Sequence, residues 1–269
     1  MGNIGKTIGI ISIKGGVGKT SAVSALGAAL ANDFDKRVLL IDGNFSVPNL
    51  ALHFGIINPE KTLHHVLHDK IHAAEAIYPT DYGFDIIPGS LLSTKVDPLK
   101  LKHKIQPLKR VYDIILLDSS PSLNQELLAT MLASDELLVV TTPDIPTLST
   151  TLRAIKIAKH RGTPITGLIL NRVRNKKFEL SLQQIEDTTD TKVLAVLPDE
   201  TEILEALAKT IPSTLHKPKA NSTIEYKKLA AALIGQEYVN KGLGAKLKSL
   251  FSGKIEQQDV NRTILAKNR

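Results

Sequence analysis

The chain has 269 residues, 42% of them hydrophobic, which is enough to give one large α/β domain or two small ones a proper core. With 34 Lys and Arg against 27 Asp and Glu it is basic, so an anionic partner is expected, whether nucleic acid, nucleotide or an acidic membrane face. The absence of cysteine excludes disulfides, thiolate metal sites, iron–sulfur clusters and cysteine nucleophiles. No apolar run reaches the roughly 18 to 20 residues of a membrane span and no secretory signal stands at the N-terminus, so the protein is read as intracellular.

In chain order, short β-branched runs alternate with segments of helical period, the pattern of strand–helix–strand units around a mostly parallel sheet. The predicted strands are Ile8 to Ile13, Val38 to Ile41, Phe84 to Ile87, Ile114 to Leu117, Leu137 to Thr141, Ile165 to Leu170 and Val193 to Leu197. Several are apolar throughout, as strands covered on both faces are. Helical stretches such as Ser21 to Ala31 and Thr147 to His160 lie between them, with turn formers at Asn58-Pro59 and Gly162-Thr163-Pro164. Near Gly235 the composition turns polar and basic, so a domain of residues 1–235 and a tail to Arg269 are expected.

After the first strand comes Lys14-Gly15-Gly16-Val17-Gly18-Lys19-Thr20-Ser21, leading into a helix. In the ordinary Gly-x-x-x-x-Gly-Lys-Thr motif the first glycine would stand at Ile13, so the motif is incomplete. The physics of phosphate binding survives. Glycines let backbone N–H groups turn inward on phosphate oxygens, and the helix beginning near Lys19 offers its positive end. Lys19 reaches the β- and γ-phosphates and Thr20 can ligate Mg²⁺. The alternative is a glycine-rich turn with no ligand. Further along, Asp42 stands at the carboxyl end of the second strand, where α/β sheets present ligand-binding residues, and with Lys14, Lys19 and Asn44 is a candidate catalytic residue and with Thr20 and Asp118 a candidate Mg²⁺ ligand. Asp118 follows four apolar residues of a buried strand and can hold the Mg²⁺ shell or merely cap a helix.

The early lysine Lys14 makes the loop resemble the deviant Walker A loop of the MinD/ParA family, closest to its MinD-type members. The resemblance covers about residues 5–235. It implies a three-layer P-loop NTPase fold with a mostly parallel twisted sheet flanked by helices, with ATP and Mg²⁺ as cofactors. In that family the lysine matching Lys14 reaches across an ATP-sandwich dimer to the partner's nucleotide, as an arginine finger does. The segment Asp42-Gly43-Asn44 is similar to the family's first switch, usually Asp-x-Asp. Asp42 matches the first acid, while Asn44 stands where the second orients and polarises the attacking water. An amide holds a water but cannot accept its proton, so hydrolysis is expected to be slow or absent. Asp118-Ser119-Ser120-Pro121 is similar to Walker B and the second switch. Thr142-Pro143-Asp144-Ile145-Pro146 matches the family layout, with Asp144 where Glu is common. Asn171-Arg172 and Pro198-Asp199 resemble the two segments that hold adenine, the amide matching the base edge and the guanidinium its face, with strand-end capping as the alternative.

His64, His68 and His72 recur at i, i+4 and i+8 and would share a helix face. Beside the apolar face Leu63, Val66, Leu67 and Ile71, a solvated histidine face is expected in preference to a metal site. In the tail Val239, Leu243, Leu247, Leu250 and Phe251 fall on one helical arc with Lys246 at its flank. Residues 236–253 read as an amphipathic membrane-targeting helix and are similar to the C-terminal targeting sequence of MinD proteins. The alternatives are a helix packed on its own domain or a frayed end. Residues 254–269 are a polar extension. These readings converge on an ATPase that dimerises on ATP, binds the inner face of the cell membrane from the cytoplasm and positions a division, chromosome or surface-organelle partner. The rivals are a ParA-like partition ATPase coating DNA and a hydrolysis-deficient ATP-bound scaffold.

Overall fold

The computed structural model describes residues 4–92 and 95–238. Eight strands make one sheet: β1 (Lys6–Ile11), β2 (Val38–Gly43), β3 (Tyr78–Pro79), β4 (Asp85–Ile87), β5 (Ile114–Ser119), β6 (Glu136–Thr141), β7 (Ile165–Val173) and β8 (Val193–Pro198). Their spatial order is β3-β4-β2-β5-β1-β6-β7-β8, with every pairing parallel except that of β3 with β4. The helices are α1 (Lys19–Phe34), α2 (Leu63–Leu67), α3 (Leu101–Ile105), α4 (Gln125–Ala133), α5 (Ile145–Arg161), α6 (Leu182–Thr189), α7 (Thr201–Ala208), α8 (Ser213–His216) and α9 (Asn221–Leu233).

Alternate residues of one strand serve opposite faces. Val38 and Leu40 pack with Leu26 and Leu30 of α1 and with Leu229 of α9, whereas Leu39 and Ile41 pack with Leu63 and Leu67 of α2 and Leu101 of α3. On that second face the other half of the sheet meets α4, α5 and α6 through Ile11, Val139, Leu168, Met131, Ile155 and Ile185. This two-sided burial is why the strands read as unbroken apolar runs. The expected three-layer α/β class is the class observed.

Two local expectations are corrected. β1 stops at Ile11 rather than Ile13 because the Ser12 hydroxyl donates to the Lys14 carbonyl at 3.0 Å and accepts the Lys14 N–H at 3.1 Å, curling the chain off the sheet. The antiparallel edge strand β3 has only two residues, one of them Pro79, and so carries no periodic signal. The segment from residue 239 onward, which holds the predicted amphipathic helix, lies outside the described residues. Among the described residues no helix is long and apolar enough to cross a membrane.

Candidate functional site

Where the chain turns from outward to inward strand order, β1 lies between β5 and β6, and its carboxyl end opens at the switch point where α/β sheets bind ligands. The loop from Ser12 to Gly18 leaves there and feeds α1. Gly16 and Gly18 have φ of +74° and +97°, conformations that side chains resist, and a Cβ on Gly18 would stand 2.3 Å from the Asn171 amide nitrogen. Gly15 and Gly16 are exposed at the crown of the loop, while Val17 is buried beneath it. Lys19 and Thr20 open α1 with Ser21 in the same first turn, so the helix N–H groups face the loop's hollow. Lys19 is only 6% exposed. Burial pulls its ammonium pKa below the ordinary value, against the opposing pull of nearby Asp118.

Asp42 and Asp118 are register partners on the paired strands β2 and β5, and both are buried. They are held differently. Thr20 Oγ1 donates to Asp118 Oδ2 at 2.6 Å, and Asp118 Oδ1 is buried with no hydrogen-bond partner among the described residues. A hydroxyl oxygen beside an orphaned carboxylate oxygen fits a hydrated Mg²⁺, which Thr20 and Asp118 would hold. Asp42 instead organises its own loop: it accepts the N–H groups of Asn49 and Leu50 at 2.9 Å each and that of Asn44 at 3.1 Å. The Asn44 side chain also turns into this loop, donating to the Val47 carbonyl at 2.5 Å. Asn49, which sequence reasoning left without a role, brings its amide oxygen to 3.4 Å from Thr20 Oγ1.

Burial, reinforced by Asp118, pushes the Asp42 carboxyl up to about 8 despite its three backbone donors. Burial likewise raises Asp118 to about 6, opposed by Thr20 and Lys19. A carboxyl raised above its unfolded pKa stabilises the fold fully below that unfolded value and loses the contribution as pH rises through the folded one. Nucleotide-free protein is therefore expected to melt at progressively lower temperature from pH 5 to pH 8.5, with a slope of up to about 1.4 kcal/mol per pH unit for each proton released. Asp42→Asn should flatten the upper half of that curve. Thermal melts at several pH values check this, and a wild-type melting temperature that rises toward pH 8 would contradict it.

On the other side of the loop, Lys14, Gly15, Val17, Thr142, Asp144, Arg172 and Phe178 are among the residues lining a cleft of about 330 Å³. Lys14 Nζ donates to Thr147 Oγ1 at 2.6 Å and lies 3.4 Å from Asp144 Oδ1. Asp144 N-caps α5 by accepting the Thr147 N–H at 2.9 Å. Burial opposes its ionisation, yet hydrogen bonds from Thr142 and Thr147 and the charge of Lys14 hold its pKa below the ordinary value. Thr147 is thus a site residue that the sequence reading passed over. Its signal was the Asp-x-x-Thr spacing of a helix cap.

Asn171 is buried and braces the loop, donating from Nδ2 to the Val17 carbonyl at 2.7 Å while its Oδ1 accepts the Arg172 N–H at 2.9 Å. One amide hydrogen and one acceptor lone pair remain for a base edge. Arg172 follows with φ of +58° at the cleft wall. Pro198 pairs in register with Val173, which brings Asp199 to the same edge, but its carboxylate is bound by Arg174 Nε at 2.6 Å.

The histidine expectation is corrected. α2 ends at Leu67, so His64, His68 and His72 do not share a helix face. His64 is 2% exposed rather than solvated, its Nδ1 accepting the Ser90 N–H at 3.0 Å and its Nε2 lying 3.1 Å from the Phe45 carbonyl. Among the described residues no group of three or more His, Cys, Asp or Glu side chains is placed to hold a metal.

What such a glycine loop cradles is the phosphate chain of a nucleoside triphosphate, and fold and site together make this molecule a P-loop NTPase. The family described as an AAA domain matches residues 5–161. The septum site-determining protein MinD of Thermotoga maritima is 30% identical, over 93% of this chain and 98% of its own length. The cell division ATPase MinD of Pyrococcus furiosus superposes with a TM-score of 0.79 at 34% identity, covering 84% of this chain and 97% of its own. MinD of Pyrococcus horikoshii, solved in complex with Mg-ADP, superposes with a TM-score of 0.80 at 31% identity, covering 93% and 99%. The chain belongs to the MinD/ParA family of P-loop ATPases.

Proposed function

We propose that this ATPase binds ATP with Mg²⁺, dimerises on it through the carboxyl edge of the sheet, hydrolyses it slowly, and as a dimer binds an anionic membrane surface and positions a protein partner. One observation carries the dimer. The connections after β2, β4, β5, β6 and β7 all emerge on this edge because those strands are parallel, and each bears an exposed apolar side chain, Val47, Leu91 and Leu92, Leu123, Ile145 at the start of α5, and Phe178, from 41% to 89% exposed. Such a rim around a polar centre marks a surface that another protein covers. A second copy satisfies the symmetry of a nucleotide-sandwiching pair, and Lys14, about two-fifths exposed at the loop crown, is the cation it would share.

In this reading backbone N–H groups of residues 15–20 bind the phosphates, Lys19 neutralises them, and Thr20 and Asp118 hold the Mg²⁺, which supplies charge neutralisation at the β- and γ-phosphates. Asn44 orients the attacking water without accepting its proton. Asn171, Arg172, Pro198 and Asp199 surround the base. The tail residues Val239, Leu243, Lys246, Leu247, Leu250 and Phe251 supply the membrane contact. A single amphipathic segment binds marginally, and pairing two on one dimer gains roughly 10²-fold through effective concentration.

Liposome sedimentation tests this. Wild type is expected to pellet with anionic vesicles in ATP but not in ADP, and a chain ending at Gly235 in neither. Ile145→Glu places two carboxylates in a two-fold interface, and should leave ATP binding within about threefold while weakening ATP-dependent pelleting at least about 100-fold. Pelleting that ignores both nucleotide and tail would overturn the proposal.

A further inference from the structure

Beneath the loop that carries Asn44, two buried side chains from different elements grip consecutive residues. His64 of α2 reaches the Phe45 carbonyl through Nε2 at 3.1 Å. The Ser90 amide can only donate, so Nδ1 accepts from it and the ring proton sits on Nε2, which therefore donates to Phe45. The Phe45 ring, itself buried, packs edge-on to the imidazole with centroids 6.0 Å apart. One residue on, Ser46 Oγ donates in a short bond to Glu126 Oε1. Glu126 lies in the first turn of α4, the helix that follows the Asp118 loop, and is 7% exposed. Its Oε2 is buried with no hydrogen-bond partner among the described residues. α2 is tied in turn to the loop after β4, since the Leu63 N–H donates to the Pro88 carbonyl at 2.8 Å. Phe45 and Ser46, the two residues after Asn44, are thus bound directly to α2 and α4, and through α2 indirectly to the loop after β4.

A buried histidine with both nitrogens engaged and a buried carboxylate reaching for an exposed serine are costly ways to fill space, because each must be desolvated. What the polar pair adds is direction, fixing the Phe45 carbonyl and the Ser46 hydroxyl, and hence the backbone from which Asn44 projects. We propose that His64 and Glu126 are positioning residues for ATP turnover: they clamp Phe45 and Ser46 and so hold the Asn44 loop in register with the Asp118 loop. The inference rests on the nucleotide reading of the site.

The clamp touches neither phosphate nor base, so its loss should appear in kcat and not in nucleotide affinity. His64→Phe keeps the ring packing and removes both hydrogen bonds, whereas His64→Gln retains a donor and an acceptor. In single-turnover phosphate release with Mg-ATP, His64→Phe is expected to be about tenfold slower than wild type with ATP affinity within about threefold, and His64→Gln to recover most of the rate. Ser46→Ala, which takes from Glu126 the hydroxyl that binds its Oε1, is expected to slow release by a similar factor, as is Glu126→Leu, which removes the buried carboxylate as well, with a thermal melt confirming that each is folded. Unchanged release in Ser46→Ala, or in a folded His64→Phe, overturns the clamp, as does a loss in ATP affinity matching the loss in rate. A wild-type protein without any Mg-ATP-dependent thermal shift overturns the nucleotide reading itself, and the clamp with it.

Discussion

Lys19→Gln is expected to weaken Mg-ATP binding by roughly two to three and a half orders of magnitude. Lys19 is 6% exposed and burial already depresses its pKa, so its charge is partly desolvated before any ligand arrives. Such a group gains far more from a polyanion than a surface lysine does, because water no longer screens the interaction. Breaking one partner of a buried charged contact costs about 3 to 5 kcal/mol, and a tenfold change in affinity corresponds to about 1.4 kcal/mol. The empty fold should notice the change little, since a neutral amide removes a desolvation cost while leaving the shape nearly intact. Titration calorimetry with Mg-ATP and a thermal melt of nucleotide-free protein separate the two effects. Affinity within tenfold of wild type would show that Lys19 does not meet the phosphates.

Asn44→Asp is expected to raise the rate of ATP hydrolysis about 10- to 1,000-fold. Proton acceptance by a positioned base is worth roughly 10²- to 10⁴-fold, and the wild-type amide lacks it. Part of that gain is offset. The Asn44 amide donates to the Val47 carbonyl at 2.5 Å, and a carboxylate there would face an acceptor with an acceptor. Leaving that bond unmade costs about 1 to 3 kcal/mol, or roughly tenfold at its lower end. Single-turnover hydrolysis of both proteins decides the matter. A wild-type rate equal to that of Asn44→Asp would show that the amide is no handicap.

Strands were legible where both faces are buried, since Val38 to Ile41 and Ile114 to Leu117 have no polar interruption to blur them. The phosphate loop was legible because its chemistry is local: Gly16, Gly18, Lys19 and Thr20 act within a few residues of one another. What was hidden is long-range. The bond between Thr20 and Asp118 joins residues 98 positions apart, and that between Asn171 and Val17 spans 154. Periodicity misled at the histidines because it assumes that a helix continues. α2 stops after five residues, His68 takes up the C-cap with Asp69 at φ of +61°, and His64 is drawn inward by Phe45 and Ser90. Asp42 was placed correctly at the strand end, but its grip on its own loop depends on backbone N–H groups two, seven and eight residues away, which side-chain patterns do not encode.

If ATP assembles two copies across the carboxyl edge of the sheet, the mass of the protein in solution depends on which nucleotide is bound. Sedimentation velocity of the 29.3 kDa chain in Mg-ATP and in Mg-ADP tests it most directly, with Lys14→Ala alongside. A twofold mass is expected in ATP, a single chain in ADP, and a single chain in both nucleotides for Lys14→Ala. The same mass in ATP and ADP for the wild-type protein would contradict it.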